Sequence, residues 1–534
     1  MNTNKTHILF ASLLVLLVQN NSLAQQLNST LNRDYMWGYD NYFNNKEENV
    51  QTFVKPYRQE QLNKVKDSTV AFQPLLIEEK MAHYLRKKLN IKEHKKFNLS
   101  VLPLKTSLGG IQGKASAYSV RDIAIGATVM ANFGTKLSFN FKTLIGGGVG
   151  NYVTDSIIHN YGVVPGLGTA HENPKFLRRY SYRYFSGYLS YSPNKYFNFQ
   201  VGQDKHFWGD GYRSLFLSDV TAPFPFLKIT TTIWKFTYVN LYAIMKGAAT
   251  PSGGPQNWQT KYASFHYLGF NATKRINIGL FGAVVWQGTT QYRNRGFDVN
   301  YLNPSVMFLP TEFSLGSGDN TLIGASYKIK LFKKQQLYGQ LVIDDLLIDE
   351  LLARNGWWAN KYGIQTGFKS FDVFKIKRLN FQTELNYVRP YTYSYGPNVV
   401  QNYSNYNLPL AHPLGANFVE LATFLNYRYQ HFFFEGKCVY AIYGSDTATS
   451  DYGQNIFIPY TKHPNDYGNS TTQGIKTNLI NLSLRGAYII APRINLRVEL
   501  GAEYRIQQNE FGTSKIPYVY FGLRTDLSNF YDDY

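Results

Sequence analysis

The sequence predicts an all-β protein, a transmembrane outer-membrane β-barrel of about 18 antiparallel strands, preceded by a small N-terminal periplasmic segment with a helix. Segments of ten or more residues alternate apolar and polar side chains, and short polar turns and long loops separate them in turn. In addition, 16% of the 534 residues are aromatic, although the mean hydropathy is only −0.31. Strands with one face in lipid and the other in an aqueous lumen produce this combination.

The first 24 residues have the pattern of a signal peptide. Lys5 precedes the apolar run Ile8–Val18, and Ser22–Ala24 supplies small residues where a signal peptidase cleaves. We therefore expect the mature chain to begin near Gln25. The apolar run is shorter than the ~20 residues that a membrane-spanning helix needs, and no later stretch of the sequence approaches that length.

The composition narrows the classes of partner. The chain carries 55 Lys and Arg residues against 35 Asp and Glu, a formal net charge of +20. These residues are scattered, whereas nucleic-acid-binding proteins usually cluster them. General solubility and contact with anionic lipid account for the charge, and an acidic glycan is the alternative. Cys438 is the single cysteine, so no internal disulfide can form and stability depends on burial or on a closed sheet.

Alternation along the chain defines the predicted strands. After the turn Ser192–Lys195, in which proline and asparagine fit tight-turn geometry, the segment Phe197–Val201 places its apolar residues on one face and its amides on the other. The same pattern follows short polar turns at residues 273–275, 333–336 and 491–493. Such segments number about eighteen, from near Gly110 to near Thr525.

An even number of strands puts the start of the first strand and the end of the last strand on the periplasmic side, together with the short turns. Five long segments are then expected outside the cell, at residues 147–177, 207–225, 288–318, 391–415 and 444–473. The sheet has to close on itself, because an open edge in hydrocarbon leaves backbone donors and acceptors unpaired at a cost of several kcal/mol each.

Residues 25–109 differ from the rest of the chain. They are polar and rich in Asn, Gln and Lys, and they include Leu75–Leu89, whose apolar residues follow helical spacing with acidic residues ahead of basic ones. We interpret them as a periplasmic segment that either caps the barrel or leads into it. The predicted division is a signal peptide at 1–24, this segment at 25–109 and the barrel at 110–534.

The stretch Val201–Asp219 (VGQDKHFWGDGYRSLFLSD) is the strongest candidate for a functional site, since it begins at the outer end of a strand and continues into a loop. Its aromatic rings offer flat apolar faces, and its charged groups offer donors and acceptors to sugar hydroxyls or carboxylates. We expect Trp208 to stack on a sugar ring and Arg213 to meet an acidic group. The candidate polysaccharide-binding residues are Asp204, His206, Trp208, Asp210, Tyr212 and Arg213.

Three other interpretations of this stretch stay open. In a structural one, Gly209 and Gly211 shape a turn, the aromatic residues join the interfacial girdle of the barrel, and the charged residues pair among themselves. Asp204, His206 and Asp210 offer metal ligands, although their spacing matches no zinc or calcium signature. Asp204 and Asp210 are also a candidate carboxylate pair for glycoside cleavage.

Several motifs resemble one family. The strongest piece is Gly202–Gly211 (GQDKHFWGDG), together with Tyr184–Tyr188 (YFSGY), Ser214–Asp219 (SLFLSD) and Pro223–Pro225 (PFP). These residues resemble the Wzi family of capsule-assembly outer-membrane proteins. Further matches, to gliding-motility relatives of the RemB type, are Asn303-Pro304, Gly316–Asn320 (GSGDN) and Ala411–Phe418 (AHPLGANF).

The resemblance covers roughly residues 180–425 and implies a barrel of about 18 strands with helical structure on the periplasmic side. It also implies a role in holding capsular polysaccharide at the cell or, for the motility branch, in surface adhesion and gliding. The polar N-terminal segment and the Tyr- and Asn-rich loops depart from the capsule branch, so the identity of the glycan stays open.

We expect a non-enzymatic barrel in the outer membrane of a Gram-negative bacterium, without cofactor, metal or catalytic residues, that binds surface polysaccharide at its extracellular mouth. The expected partners are surface or capsular polysaccharide, outer-membrane lipid and lipopolysaccharide, and motility or adhesion proteins, but not nucleic acid. The alternative is a general porin or solute channel. An outer-membrane hydrolase is a third hypothesis, although the sequence contains no Gly-x-Ser-x-Gly nucleophile elbow.

Overall fold

The computed structural model describes residues 26–45, 50–62, 97–113, 118–172, 179–248, 255–289, 294–303, 318–396, 399–447, 449–491, 495–525, 529 and 531–534. The signal peptide predicted at 1–24 and the helix predicted at Leu75–Leu89 lie outside these residues. Within this part of the chain, no helix is long and apolar enough to cross a membrane.

The main element is a closed antiparallel β-barrel of eighteen strands, which confirms the predicted fold class and strand number. The first nine strands are β1 (Phe97–Gln112), β2 (Tyr118–Phe133), β3 (Leu137–Val149), β4 (Arg179–Tyr191), β5 (Phe197–Asp204), β6 (Phe224–Ile233), β7 (Phe236–Ala248), β8 (Trp258–Asn271) and β9 (Ile276–Gln287). The other nine are β10 (Asn320–Phe332), β11 (Gln335–Asp345), β12 (Lys361–Ser370), β13 (Leu379–Val388), β14 (Phe418–Tyr429), β15 (Phe432–Ser445), β16 (Ile475–Ala491), β17 (Leu496–Asn509) and β18 (Gly512–Thr525).

The remaining elements are short. The α-helices are α1 (Arg33–Asn45), α2 (Gln59–Leu62), α3 (Tyr152–Tyr161) and α4 (Ile348–Ala353). Short strand pieces are Val54–Lys55, Val163–Val164, Gly168–Glu172, Phe207–Trp208, Ser404–Asn405 and Leu408–Pro409. Single 3-10 turns are Pro255–Asn257, Val299–Leu302, Val373–Lys375, Val399–Gln401 and Tyr460–Lys462.

The sheet closes where the first strand meets the last. Thr106–Gln112 of β1 pair antiparallel with Tyr518–Arg524 of β18, and the other strands pair in sequence order. Closure gives the first and last strands a second partner, as hydrocarbon surroundings require.

β1 begins at Phe97, earlier than the boundary predicted near Gly110. Its first half contains Pro103, and a proline argues against an interior strand because it lacks a backbone N–H. In the structure, Pro103 lies opposite Ala127 of β2 but beyond the segment of β1 that pairs with β18. The proline is therefore accommodated where the strand has one described neighbour.

The wall follows the predicted alternation. On β5, Phe199 and Val201 are 39% and 54% exposed, whereas Asn198 and Gln200 are each 1% exposed. Cys438 is also exposed on the exterior. Large apolar side chains on the outside and polar ones inside are the arrangement of a barrel surrounded by lipid.

The lengths of the connections distinguish the two ends of the barrel. Residues 134–136, 192–196, 234–235, 272–275, 333–334, 371–378, 430–431 and 492–495 connect strands at one end, which also holds the start of β1 and the end of β18. The opposite end has the long connections 150–178, 205–223, 288–319, 346–360, 389–417 and 446–474. In bacterial barrels the short turns are periplasmic, so the long connections belong to the extracellular end.

The described N-terminal residues, 26–45 and 50–62, lie inside the barrel at the periplasmic end. The side-chain amide of Asn44 donates to the carbonyl of Lys333, in the β10–β11 turn, at 3.0 Å. Asp40 pairs with Lys369 near the end of β12 at 2.7 Å. These described N-terminal residues therefore cap the barrel from the periplasmic side.

Buried ion pairs attach α1 to the wall. The carboxylate of Asp34 lies 2.9 Å from Arg485 on β16 and 2.6 Å from Arg497 on β17. Arg33 pairs with Glu435 on β15 at 2.7 Å. Because these groups are largely shielded from water, each charge depends on its partner.

Replacing Asp34 with alanine should lower the free energy of unfolding, because it leaves two buried guanidinium groups with one carboxylate fewer. Breaking a buried pair costs about 3–5 kcal/mol, and the loss here should stay at or below that range because both arginines keep a second acidic neighbour. Urea unfolding in lipid vesicles measures it. The exposed Asp349 of α4 provides the matched control, D349A, which should be as stable as wild type. Equal stability of all three proteins would show that the ion pairs of Asp34 do not stabilise the attachment of α1 to the wall.

Candidate functional site

The loop predicted to form the binding site does not project from the barrel. Residues 205–223 turn into the lumen, and all of them except Gly211 are buried. The expectation that residues 207–225 lie outside as an extracellular loop is therefore wrong. The reason is the apolar run Leu215–Leu217, which gains stability by leaving water. We call residues 205–223 the plug loop.

Aromatic packing holds the centre of the plug loop. Phe216 stacks on Phe281 of β9 with ring centroids 4.3 Å apart, and Trp208 meets the same ring edge-on at 6.0 Å. From the N-terminal segment, Phe53 stacks on Tyr267 of β8 at 4.4 Å and contacts Phe216 at 5.7 Å. Burying side chains of this size contributes about 1.5–3 kcal/mol each.

Side chains of the wall and of the connection 389–417 satisfy the buried backbone of the plug loop. The amide oxygen of Gln340 accepts from the N–H of Leu215 at 2.7 Å, and its NH₂ donates to the carbonyl of Trp208 at 3.0 Å. The hydroxyl of Tyr403 donates to the carbonyl of Phe216 at 2.6 Å. A loop without regular structure can be buried only if its peptide groups find such partners.

A buried charge cluster fixes the middle of the plug loop at Tyr212 and Arg213. Arg213, 1% exposed, pairs with Glu420 on β14 at 2.9 Å and with Asp533 at 3.0 Å. Glu384 on β13 accepts from the backbone N–H groups of Tyr212 and Arg213 at 2.8 and 3.0 Å. Although burial alone would raise it, the nearby Arg213 holds the pKa of Asp533 well below its ordinary value.

The other predicted site residues have separate surroundings. Asp210 accepts from the hydroxyl of Thr52 at 2.7 Å, and although burial alone would raise its pKa, nearby lysines hold it below the ordinary value. Burial lowers the pKa of His206 well below its ordinary value, so the imidazole is neutral. Asp204, half-buried at the end of β5, accepts from the backbone N–H of Lys205 at 2.8 Å.

The six predicted residues therefore do not share one open surface, although Tyr212 and Arg213 have Glu384 and Asp533 as common partners. Trp208 is fully buried, so its ring meets protein groups. Sugar binding by these side chains stays a prediction. Among the described residues, no group of three or more His, Cys, Asp and Glu side chains is arranged to hold a metal ion.

Two further segments complete the filling of the lumen. Residues 391–415 are also expected outside, but the described residues of the connection 389–417 fold inward. The carbonyl of Leu410 accepts from the N–H of Ser218 at 2.7 Å. Beyond β18 the chain returns into the barrel, where the hydroxyl of Tyr531 donates to Asp219 at 2.7 Å. Four separate parts of the chain thus meet inside the wall.

Sequence reasoning missed the wall residues that hold the plug loop, above all Glu384 and Glu420. Both are fully buried acidic residues in the middle of predicted strands, on the lumenal face. A carboxylate at such a position needs a buried cation or donor. That requirement was the available signal, and Arg213 meets it for Glu420.

The fold and the filled lumen define a plugged outer-membrane β-barrel. No protein-family model and no curated protein matches the sequence. Among solved structures, the chain is similar to Wzi of Escherichia coli, described as an outer membrane protein involved in group 1 capsule assembly and as a carbohydrate-binding β-barrel. The TM-score is 0.56, with 13% identity over 92% of this chain and 98% of that chain.

Two porin structures are similar at lower scores. Pseudomonas aeruginosa OprD has a TM-score of 0.41 and 10% identity over 80% of this chain and 94% of its own. Acinetobacter baumannii OccAB2 has 0.42 and 9% over 80% and 97%. At these identities the likeness to Wzi confirms the Wzi-like fold, while the relationship to RemB-type motility proteins stays a prediction.

Replacing Arg213 with alanine should loosen the plug loop, because Glu420 and Asp533 would lose the cation between them. Breaking a buried pair costs about 3–5 kcal/mol. We expect a lower free energy of unfolding and a higher ion conductance in planar bilayers. R354A, at an exposed arginine of the outer loop 346–360, is the control. A variant that conducts and unfolds like wild type would show that the cluster does not hold the plug.

Proposed function

We propose that the protein is a non-enzymatic outer-membrane barrel that binds surface or capsular polysaccharide at its extracellular mouth. The observation that carries this proposal is the filled lumen: the plug loop is bonded to the wall through Gln340, Glu384 and Glu420. A wide barrel whose interior is occupied by its own chain is better suited to present a surface than to pass solutes.

The likeness to Wzi supports the same proposal through its fold, since Wzi is described as a carbohydrate-binding barrel. The scattered positive charge of the chain is compatible with an acidic polymer and with the phosphates of lipopolysaccharide. Capsule retention, adhesion and gliding motility are all roles in which an anchored polysaccharide receptor serves, and adhesion or motility proteins are its proposed partners.

The alternative is a general porin, and one feature of the lumen favours it. Two cavities of about 140 and 90 Å³ lie between the wall formed by β1–β4 and β15–β18 and the inward-folded C-terminal residues Tyr531 and Asp532. Both are lined by Glu503, Arg524 and Asp532. These charged side chains suit water, but each cavity holds about a dozen molecules or fewer.

Conductance and polysaccharide retention separate the two functions. In planar bilayers the purified protein should conduct far less than an open barrel of this width, because the plug loop occupies the lumen. Cells that lack the gene should release into the medium polysaccharide that their parent retains, and complementation should restore it. Large stable conductance with unchanged retention would favour the porin, and new reducing ends in incubated polysaccharide would indicate a hydrolase.

A further inference from the structure

Five aromatic side chains form a continuous series of ring contacts at the extracellular end of the barrel. They come from the loops 346–360, 389–417 and 446–474. In spatial order they are Tyr467, Trp357, Trp358, Tyr460 and Tyr395, and successive ring centroids lie 5.0, 6.1, 5.1 and 5.9 Å apart. Four are half-buried and Tyr467 is 52% exposed. We call these residues the aromatic track.

Backbone hydrogen bonds between two loops hold the track in place. The N–H of Trp358 donates to the carbonyl of Asp466 at 2.9 Å, and the N–H of Asn469 donates to the carbonyl of Gly356 at 2.9 Å. Gly356 has φ of +71°, and a Cβ there would lie 2.7 Å from the backbone nitrogen of Asn469. The loops therefore approach closely, and the rings are fixed before any ligand arrives.

Polar groups stand beside the rings. His463 stacks on Trp358 with centroids 4.2 Å apart and planes 16° from parallel. Its Nε2 shares a hydrogen bond of 2.8 Å with the carboxylate of Asp466, whose side chain is 63% exposed. Lys462 is exposed on the same turn. Flat apolar faces thus adjoin an exposed acceptor and an exposed donor.

This combination matches the chemistry of a sugar polymer. A pyranose ring offers an apolar face of C–H groups and an edge of hydroxyls, so it stacks on an aromatic ring while it hydrogen-bonds to neighbouring polar groups. The spacing between the rings is close to the length of one sugar residue in a chain. A row of rings suits consecutive residues of a polymer better than it suits one compact ligand.

We infer that the aromatic track is the polysaccharide-binding site, with Tyr467 and Trp357 stacking on sugar faces and Asp466 accepting from hydroxyls. The inference rests on the proposed function and places its site on the outer rim, whereas the residues predicted from the sequence lie in or beside the plug loop. Trp358 and His463 act as positioning residues, since their contacts orient Trp357 and Asp466.

The test compares binding of size-fractionated surface polysaccharide, extracted from the cells that make the protein, to purified full-length variants. Y467A with W357A should weaken binding about tenfold or more, as expected for aromatic anchors of a binding site. F511A removes a ring that is 78% exposed on the β17–β18 hairpin at the same end of the barrel, and should bind like wild type. Slower gel migration after boiling, shared by all variants, verifies folded barrels.

G356A provides a second variant, which keeps every ring but disturbs the loop contact that orients them, and it should also weaken binding. Salt gives an independent readout. Raising it from about 0.1 M to about 1 M shortens the Debye length from about 10 Å to about 3 Å. Binding through stacked rings should change less than about twofold, whereas binding through surface charges should fall steeply.

The outcomes separate the two proposals. If wild type binds no polysaccharide, the proposed function fails. If wild type binds and Y467A/W357A binds equally well, the aromatic track is not the site, although the function stands. Equal loss in F511A and in the track variants would indicate non-specific adhesion to exposed rings and would overturn the site, as would the steep salt dependence of a purely electrostatic contact.

Discussion

Closure of the sheet in hydrocarbon is the constraint on which the structure depends. Backbone groups in a bilayer have no water to bond, so β1 and β18 pair over Thr106–Gln112 and Tyr518–Arg524. Eighteen strands enclose a lumen too wide for wall side chains alone to fill. The interior then holds either water or additional polypeptide. In this protein it holds residues from before β1 and after β18, and residues from two extracellular connections.

The plug is built differently from the core of a soluble domain. Its centre is apolar, with Phe216 between β9 and the N-terminal Phe53, but its edges bond to charged and amide side chains of the strands. Arg213 illustrates the requirement, because a guanidinium with 1% exposure is tolerable only beside carboxylates such as Glu420. The strands both face the membrane and bind the plug loop. Many side chains on their lumenal face therefore have to match a particular group of the plug loop.

The strands were predictable because period-two alternation follows directly from lipid on one side and a lumen on the other, as Asn198 and Val201 show. The plug was not, because a polar, glycine-containing loop has similar composition whether it faces water or a polar lumen. The apolar run Leu215–Leu217 and the strand carboxylates Glu384 and Glu420 carried that information jointly. The aromatic track could not be predicted from the sequence, because its rings come from three loops that only the fold brings together.

The bond between Arg213 and Asp533 joins residues 320 positions apart in the sequence. Two anchors of the plug loop, Tyr531 and Asp533, lie beyond the final strand. Contacts between residues so far apart in sequence carry a high loop-closure cost before they form. The plug loop is therefore held by groups that only the closed barrel brings together.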